Sequence, residues 1–305
     1  MDAKSPYWVN NIYGLGYWLK DYGYFPKNWS LQCYMDHGAL IDDVVYPHEI
    51  DNGAPVMFRF SPRAVINFKN ASNKPVYCVM NPTIHCRRVR KYEKNPDASR
   101  SLFFVAHSTP EIDDTTNWDK FISNLSLIPD DFKPLDICLH YHDINKGLDI
   151  IFRKRGYNVY TAGDPLRFEF ADDMYKLLMN YKYTLSNVPG SYLPYSVEMG
   201  IPFSLFGEAP KYFNKGDLNV EADDFNSYSL QPTYQKALSL FAGFHMSISP
   251  KQKEFVGLEL GIDNSISRLK TALILYRYSL ASNILLLIKR NKYSLAKYFV
   301  TAKFF

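Results

Sequence analysis

No aspartate or glutamate follows Asp263, yet eight lysines and arginines do. The formal charge of +4 is therefore unevenly spread, but it is too small to imply nucleic acid as a partner. No RNP, KH or helix-turn-helix signature supports one either. Cysteine is scarce: Cys33, Cys78, Cys86 and Cys138 lie in apolar or strand-like contexts without CxxC spacing. They read as reduced, half-buried thiols of a cytosolic protein. The opening MDAKSPYWVN has no apolar h-region, so no secretory signal is expected. Long hydrophobic runs are missing as well. The most apolar, Ala272–Ile288, is interrupted by Arg277, Ser279, Ser282 and Asn283 and makes a poor membrane span. There is no DxD motif, no internal repeat and no low-complexity segment.

What is present bounds the fold. A chain of 305 residues usually forms two domains, and 47% hydrophobic with 22% charged residues predicts a packed core. Residues 1–90 read as an irregular α/β unit, with short strands at Val65–Phe68 and Val76–Met80 and a turn at Asn81-Pro82. Arg87–Arg100 is charged and lacks an apolar period, which makes it the linker candidate.

From residue 101 the order is regular. Ser101–Ala106 is a strand, Asn117–Leu127 an amphipathic helix, and Leu135–Tyr141 a strand. A helix over about Ile144–Arg155, a strand at Asn158–Thr161 and a helix over Arg167–Tyr181 follow. Lys182–Gly207 then reads as strand, polar turn, helix and second strand, with Ser191 as cap and Gly200 as stop. This alternation predicts a parallel sheet with right-handed crossovers. Pro232–Met246 is read as helical, Asp217–Asp224 as an acidic loop, and Asp263–Phe305 as one or two helices capped at Asp263, Asn264 or Ser265.

Ligands on such sheets sit beyond the carboxyl ends of the strands. Four polar loops would converge there: His107-Ser108-Thr109, His140-Tyr141-His142-Asp143, Thr161-Ala162-Gly163-Asp164 and Ser186-Asn187-Val188-Pro189-Gly190-Ser191. A helix start after the last loop offers unpaired N–H groups and a positive dipole end, which suit a phosphate ester. His140 and His142 share one face at i, i+2 spacing, but no further ligand completes a metal set, so no metal is expected.

The ordered set resembles the GT-B glycosyltransferases of bacterial surface polysaccharide (capsule, O-antigen or lipooligosaccharide) biosynthesis. The likeness covers roughly residues 10–207. It runs from GYWLKDYGYFPKNW and Asp36-His37-Gly38 through NPTIHC, the HST loop, CLHYHDI and TAGD to the SNVPGS turn and YSVEMGIPFSLFG. The set also has distant similarity to sialyl-, polysialyl- and Kdo-transferase motifs, and Asp36-His37-Gly38 looks like the acidic-X-Gly motif of bacterial sialyl- and polysialyltransferases. His107-Ser108-Thr109-Pro110 differs from their compact His-Pro pair.

The resemblance implies two Rossmann-like domains facing a cleft, with a C-terminal helical tail. The acceptor-side domain would be 1–95, the nucleotide-sugar donor domain 96–262, and the basic aromatic helices 263–305. Asp36 or His37 would be the catalytic base, with Asp42-Asp43 holding His37 in its tautomer. His107, Ser108, Thr109, His140, Tyr141, Thr161, Ala162, Gly163, Asp164, Ser186, Asn187, Gly190 and Ser191 would bind the donor. No cofactor or metal is implied. The partners would be a nucleotide sugar and a glycan or lipid-linked acceptor, reached from the cytoplasm at the inner membrane face through the tail IKRNKYSLAKYFVTAKFF. An epimerase or phosphoglycerol-type transferase on the same fold, or a non-catalytic assembly scaffold, fits the same sequence.

Overall fold

The structure is a computed structural model and describes residues 5–39, 41–216, 229–280 and 282–284. The acidic stretch 217–224 and the basic aromatic tail from 285 onward lie outside the described residues.

Ten strands are described. The first three, β1 (Tyr34–Met35), β2 (Met57–Arg59) and β3 (Val76–Cys78), form a parallel sheet in that order. Five more, β4 (Arg100–Phe104), β6 (Leu135–Cys138), β7 (Val159–Tyr160), β8 (Tyr181–Ser186) and β9 (Phe203–Leu205), form a second parallel sheet in the order β7-β6-β4-β8-β9. Strand order thus reverses between β4 and β8, which is the Rossmann arrangement. The remaining pair, β5 (Ile112–Asp114) and β10 (Tyr212–Asn214), makes an antiparallel ribbon that the sequence pattern did not announce. Two Rossmann-like α/β units, one on each parallel sheet, face each other across a cleft, and the helix over residues 268–280 packs on the first.

Alternation along the central strands explains the layers. Leu102 and Phe104 join the large core that spans both sheets, while Phe103 and Val105 point to a second core beneath the helix Trp118–Leu125. Burial on both faces is what a parallel sheet requires, and each fully buried Leu or Phe contributes about 1.5–3 kcal/mol.

Several local readings change. Val65–Phe68 is not a strand but part of the helix Pro62–Ala71. Ser61 accepts from the Ala64 N–H and Pro62 opens the first turn, while Ala64 and Phe68 are buried and Ile66 is exposed, a helical spacing. Asn81 likewise caps the helix Pro82–Arg90, so the charged stretch from Arg87 begins inside a helix and only later becomes a connection. The helix expected over 144–155 is two, Tyr141–Asn145 and Leu148–Lys154, separated at Gly147, whose φ is +81°. Ser267, not residues 263–265, accepts the N–H bond that starts the last helix.

That helix, residues 268–280, packs back on the first sheet's side of the molecule. Arg268 donates to the Tyr22 and Asp21 carbonyls, and Asn283 exchanges two hydrogen bonds with the Ser30 backbone. Gln32 N–H donates to the Ser279 hydroxyl, and Ile266 N–H to the Cys78 carbonyl.

Candidate functional site

Because β4 and β8 flank the point of strand reversal, the loops after them bound the crevice. Asn187 spans it: its Oδ1 accepts from the Ala106 N–H at 2.9 Å and its Nδ2 donates to the Glu208 carbonyl. Ser186 is buried and faces inward, donating to the Tyr192 hydroxyl at 2.8 Å and accepting from the Val188 N–H. Tyr192 in turn stacks on Phe104 with ring centroids 4.7 Å apart and planes nearly parallel. Ser108 is buried too, and its hydroxyl donates to Asp143 at 2.6 Å. Ser108 and Ser186 are therefore braces of the rim. Sequence reasoning read them as ligands because a hydroxyl's direction is not encoded in a loop's composition.

Other rim residues do face the crevice. His107 is exposed, and its ring stacks on His140 at 4.4 Å; His140 lies 4.9 Å from His142. Burial, with His107 and His142 alongside, pushes the His140 pKa far down. His140 Nε2 is buried without a partner among the described residues, and Thr109 Oγ1 likewise. His107, His140, Thr161, Ala162, Gly163 and Tyr192 line one small cavity of about 50 Å³ at the strand ends. Gly163 has a φ of +88°, and a Cβ there would meet the end of the Arg167 side chain at 4.0 Å, so backbone can approach a ligand there. Thr161 Oγ1 and Asp164 Oδ1 accept from the Gly163 and Leu166 N–H groups and shape that turn. Tyr141 opens the helix after His140 and is half-buried. Among the described residues, no three His, Cys, Asp or Glu side chains converge in a metal-holding arrangement.

The ribbon buttresses this rim. The Tyr212 hydroxyl donates to the His107 carbonyl, and Lys146 clamps the Thr109 and Ile112 carbonyls and the Asp113 carboxylate.

Opposite stands the turn after β1. Asp36 is fully buried: Arg59 Nε lies 2.9 Å from its Oδ1, without hydrogen-bond alignment, and the Phe60 N–H donates to its Oδ2. Arg59 also pairs with Glu49 at 2.6 Å. Burial pushes Asp36 up to about 7 against the opposing pull of Arg59. A carboxylate held this way shapes the turn and is closed off from solvent.

His37 differs. It is half-buried, its ring 5.9 Å from that of Trp8, and burial with His48, Arg59 and His107 nearby holds its pKa at about 4. His37 is therefore a neutral imidazole at the cleft, electrostatically within reach of His107 on the other wall. Asp42 and Asp43 are engaged elsewhere: Asp42 accepts from the Val44 N–H, and Asp43 is bound to Arg63 and Thr233.

Gly38 and Ala39 complete the approach. The Ser191 hydroxyl reaches the Ala39 carbonyl at 3.4 Å, and Ser191 makes no side-chain cap on the helix Tyr192–Glu198. A Cβ on Gly190 would lie 2.6 Å from the Tyr192 ring. Behind the cleft the two halves are tied by Arg87 to Glu198 through two bonds of 2.6 Å, by Arg90 to Asp172 at 3.0 Å, and by Asn81 to the Tyr195 hydroxyl at 3.2 Å.

No family model matches the chain, and no curated protein matches it. Solved structures do. The UDP complex of S. aureus MnaA is similar at 10% identity and a TM-score of 0.32, over 69% of this chain and 52% of that one. A putative UDP-N-acetylglucosamine 2-epimerase from Listeria monocytogenes is similar at 12% identity and 0.34, over 72% and 53%. The UDP-GlcNAc 2-epimerase of Neisseria meningitidis bound to UDP-GlcNAc is similar at 13% identity and 0.36, over 75% and 62%. The chain thus spans about half to three-fifths of the length of these structures.

Sequence reasoning missed Trp8, His48, Glu49 and Arg59. Arg59 carried a signal, since a charged residue between Phe58 and Phe60 in a buried strand needs buried partners. Trp8 and His48 carried none, being distant in sequence from His37.

Proposed function

We propose that the cleft handles a nucleotide sugar. The observation that carries this reading is the meeting of the Asp36-His37-Gly38 turn with the crevice between β4 and β8, which puts one neutral imidazole opposite the rim where a Rossmann-like sheet takes its ligand. The donor's nucleotide would lie over His107, His140 and the Thr161–Asp164 turn. Its phosphates would be met by backbone N–H groups of the rim loops, with Asn187 and Ser191 fixing the loop shape. His37 would take the proton, with Trp8 and His48 around it.

In the finer reading, His37 accepts the proton of a glycan hydroxyl as sugar passes to it in surface polysaccharide assembly. The acceptor would be lipid-linked and the protein peripheral at a membrane. A second reading is rearrangement of the donor's own sugar, as in an epimerase. The contact of Gly38 with Ser191 favours it, because it leaves little room for a second substrate. In that case His37 takes the proton from a ring carbon of the donor sugar, and a proton is returned to the opposite face of the same carbon.

A thermal-shift panel of UDP, CMP, GDP and ADP tests the common part, since a ligand of the native state raises apparent stability. No shift with any nucleotide overturns the proposal. Incubating UDP-N-acetylglucosamine without an acceptor separates the two reactions: a new epimer supports rearrangement, and an unchanged donor that is consumed only with glycan acceptor supports transfer.

A further inference from the structure

The last helix is apolar on both sides. Its inner side places Ala272, Ile274 and Leu275 in the core beside Thr271, Ser279 and Asn283. Its outer side exposes Leu269 (67%), Leu273 (64%), Leu280 (41%) and Ile284 (43%). At 3.6 residues per turn the first three, within residues 268–280, fall within a sector of about 40°. Exposed Lys270 and Arg277 border the same sector. At the helix start the exposed ring of Tyr24 lies under the Arg268 guanidinium at 4.2 Å, an amphipathic pair of the kind that settles at a lipid–water boundary.

We infer that this outer face is the surface by which the protein lies on an anionic membrane. The inference deepens the peripheral-membrane part of the proposed function and rests on that part alone. Charge selects the occupant. The face carries cations, and no acidic residue follows Asp263. A second copy placed face to face would oppose like charges. Residues 285–305, with five lysines and arginines and no acid, would do the same if folded over it. Anionic headgroups complement the border while acyl chains take the leucines. Among the described residues no helix is long and apolar enough to cross a membrane, so contact here lies in the interface plane.

The test is co-sedimentation of the full chain with vesicles of phosphatidylglycerol and phosphatidylcholine in equal parts, against vesicles of phosphatidylcholine alone. Wild type should partition to the anionic vesicles. Both Leu273→Glu with Leu280→Glu and, separately, Lys270→Gln with Arg277→Gln should lower that partition about tenfold or more. Both pairs are exposed, and an unchanged unfolding midpoint confirms the fold. The inference is overturned if both variants partition like wild type, whether or not removal of residues 285–305 abolishes binding. It is also overturned if the leucine variant instead dissolves a dimer seen without lipid. Wild type that ignores anionic vesicles ends the membrane reading itself, while the nucleotide shift reports on the cleft independently.

Discussion

Gly38 and Ser191 stand against each other across the cleft: a Cβ on Gly38 would lie 2.6 Å from the Ser191 hydroxyl oxygen and 3.7 Å from its Cβ. The clash is therefore with one atom. Gly38→Ala should destabilise the protein by about 1 kcal/mol and weaken nucleotide binding by forcing the walls apart. Adding Ser191→Ala removes that atom and should restore both properties. Urea unfolding and nucleotide titration of the double mutant check this, and a double mutant no better than Gly38→Ala would sink it.

Arg59 holds Asp36 and Glu49 together in the interior. Arg59→Met would leave two buried carboxylates without their cation. A loss of about 3–5 kcal/mol is expected, because breaking a buried ion pair from one side strands the other charge. The change in urea midpoint measures it.

His37 should give a pH signature of definite sign. Its native pKa of about 4 lies below the ordinary 6.5 because burial disfavours the imidazolium. As pH falls from 6.5 to 4, the unfolded chain takes up this proton and the native state does not, so stability from this group is lost. Asp36, raised to about 7, acts in the opposite sense over the same range, as the native state gains a proton first. Burial raises Asp42 to about 6 and it acts like Asp36, so the wild-type slope mixes several groups and the difference from His37→Asn isolates the imidazole. That difference should reach about 1–3 kcal/mol between pH 7 and pH 4. With His37 as the proton acceptor, kcat/KM should be flat above about pH 5, and His37→Asn should lower it about 100-fold or more.

Asn187 ties β8 to the end of β4. Asn187→Ala removes a bond from the Ala106 N–H and one to the Glu208 carbonyl. A cost of about 1–3 kcal/mol is expected, with slackened nucleotide binding. Asn187→Asp keeps the acceptor for Ala106 and should lose less stability than Ala. Equal losses for the two variants would refute the bridging role.

The second sheet was legible because its strands are short apolar runs separated by amphipathic helices, and β4, β6, β7 and β8 lie where those runs were read. The rim loops followed from the sheet. The direction of each side chain did not, since Ser186 and Ser108 face inward for reasons set by Tyr192 and Asp143, residues met only in space. The first sheet was harder. Its strands are two or three residues long, too short for period 2 to declare itself, and Pro62–Ala71 has enough β-branched residues to mimic a strand. The Ser-Pro and Asn-Pro starts at 61 and 81 were the better signals. The helix 268–280 was read correctly as helical, but the hydrogen bonds that hold it to Ser30 and Gln32 span some 250 positions and leave no local mark.

Those last bonds bear on synthesis. The first half of the molecule is assembled from both ends of the sequence, so it is one body in space and two pieces along the chain. While residues 1–95 emerge, the groove that later holds Asn283, Ser279 and Leu275 exposes Tyr22, Phe25 and the Ser30 backbone. The second sheet draws its strands from a single uninterrupted stretch and can order first. Interrupted translation near residue 262 should therefore yield a second-sheet half with native-like protease resistance beside an amino-terminal half that is readily digested.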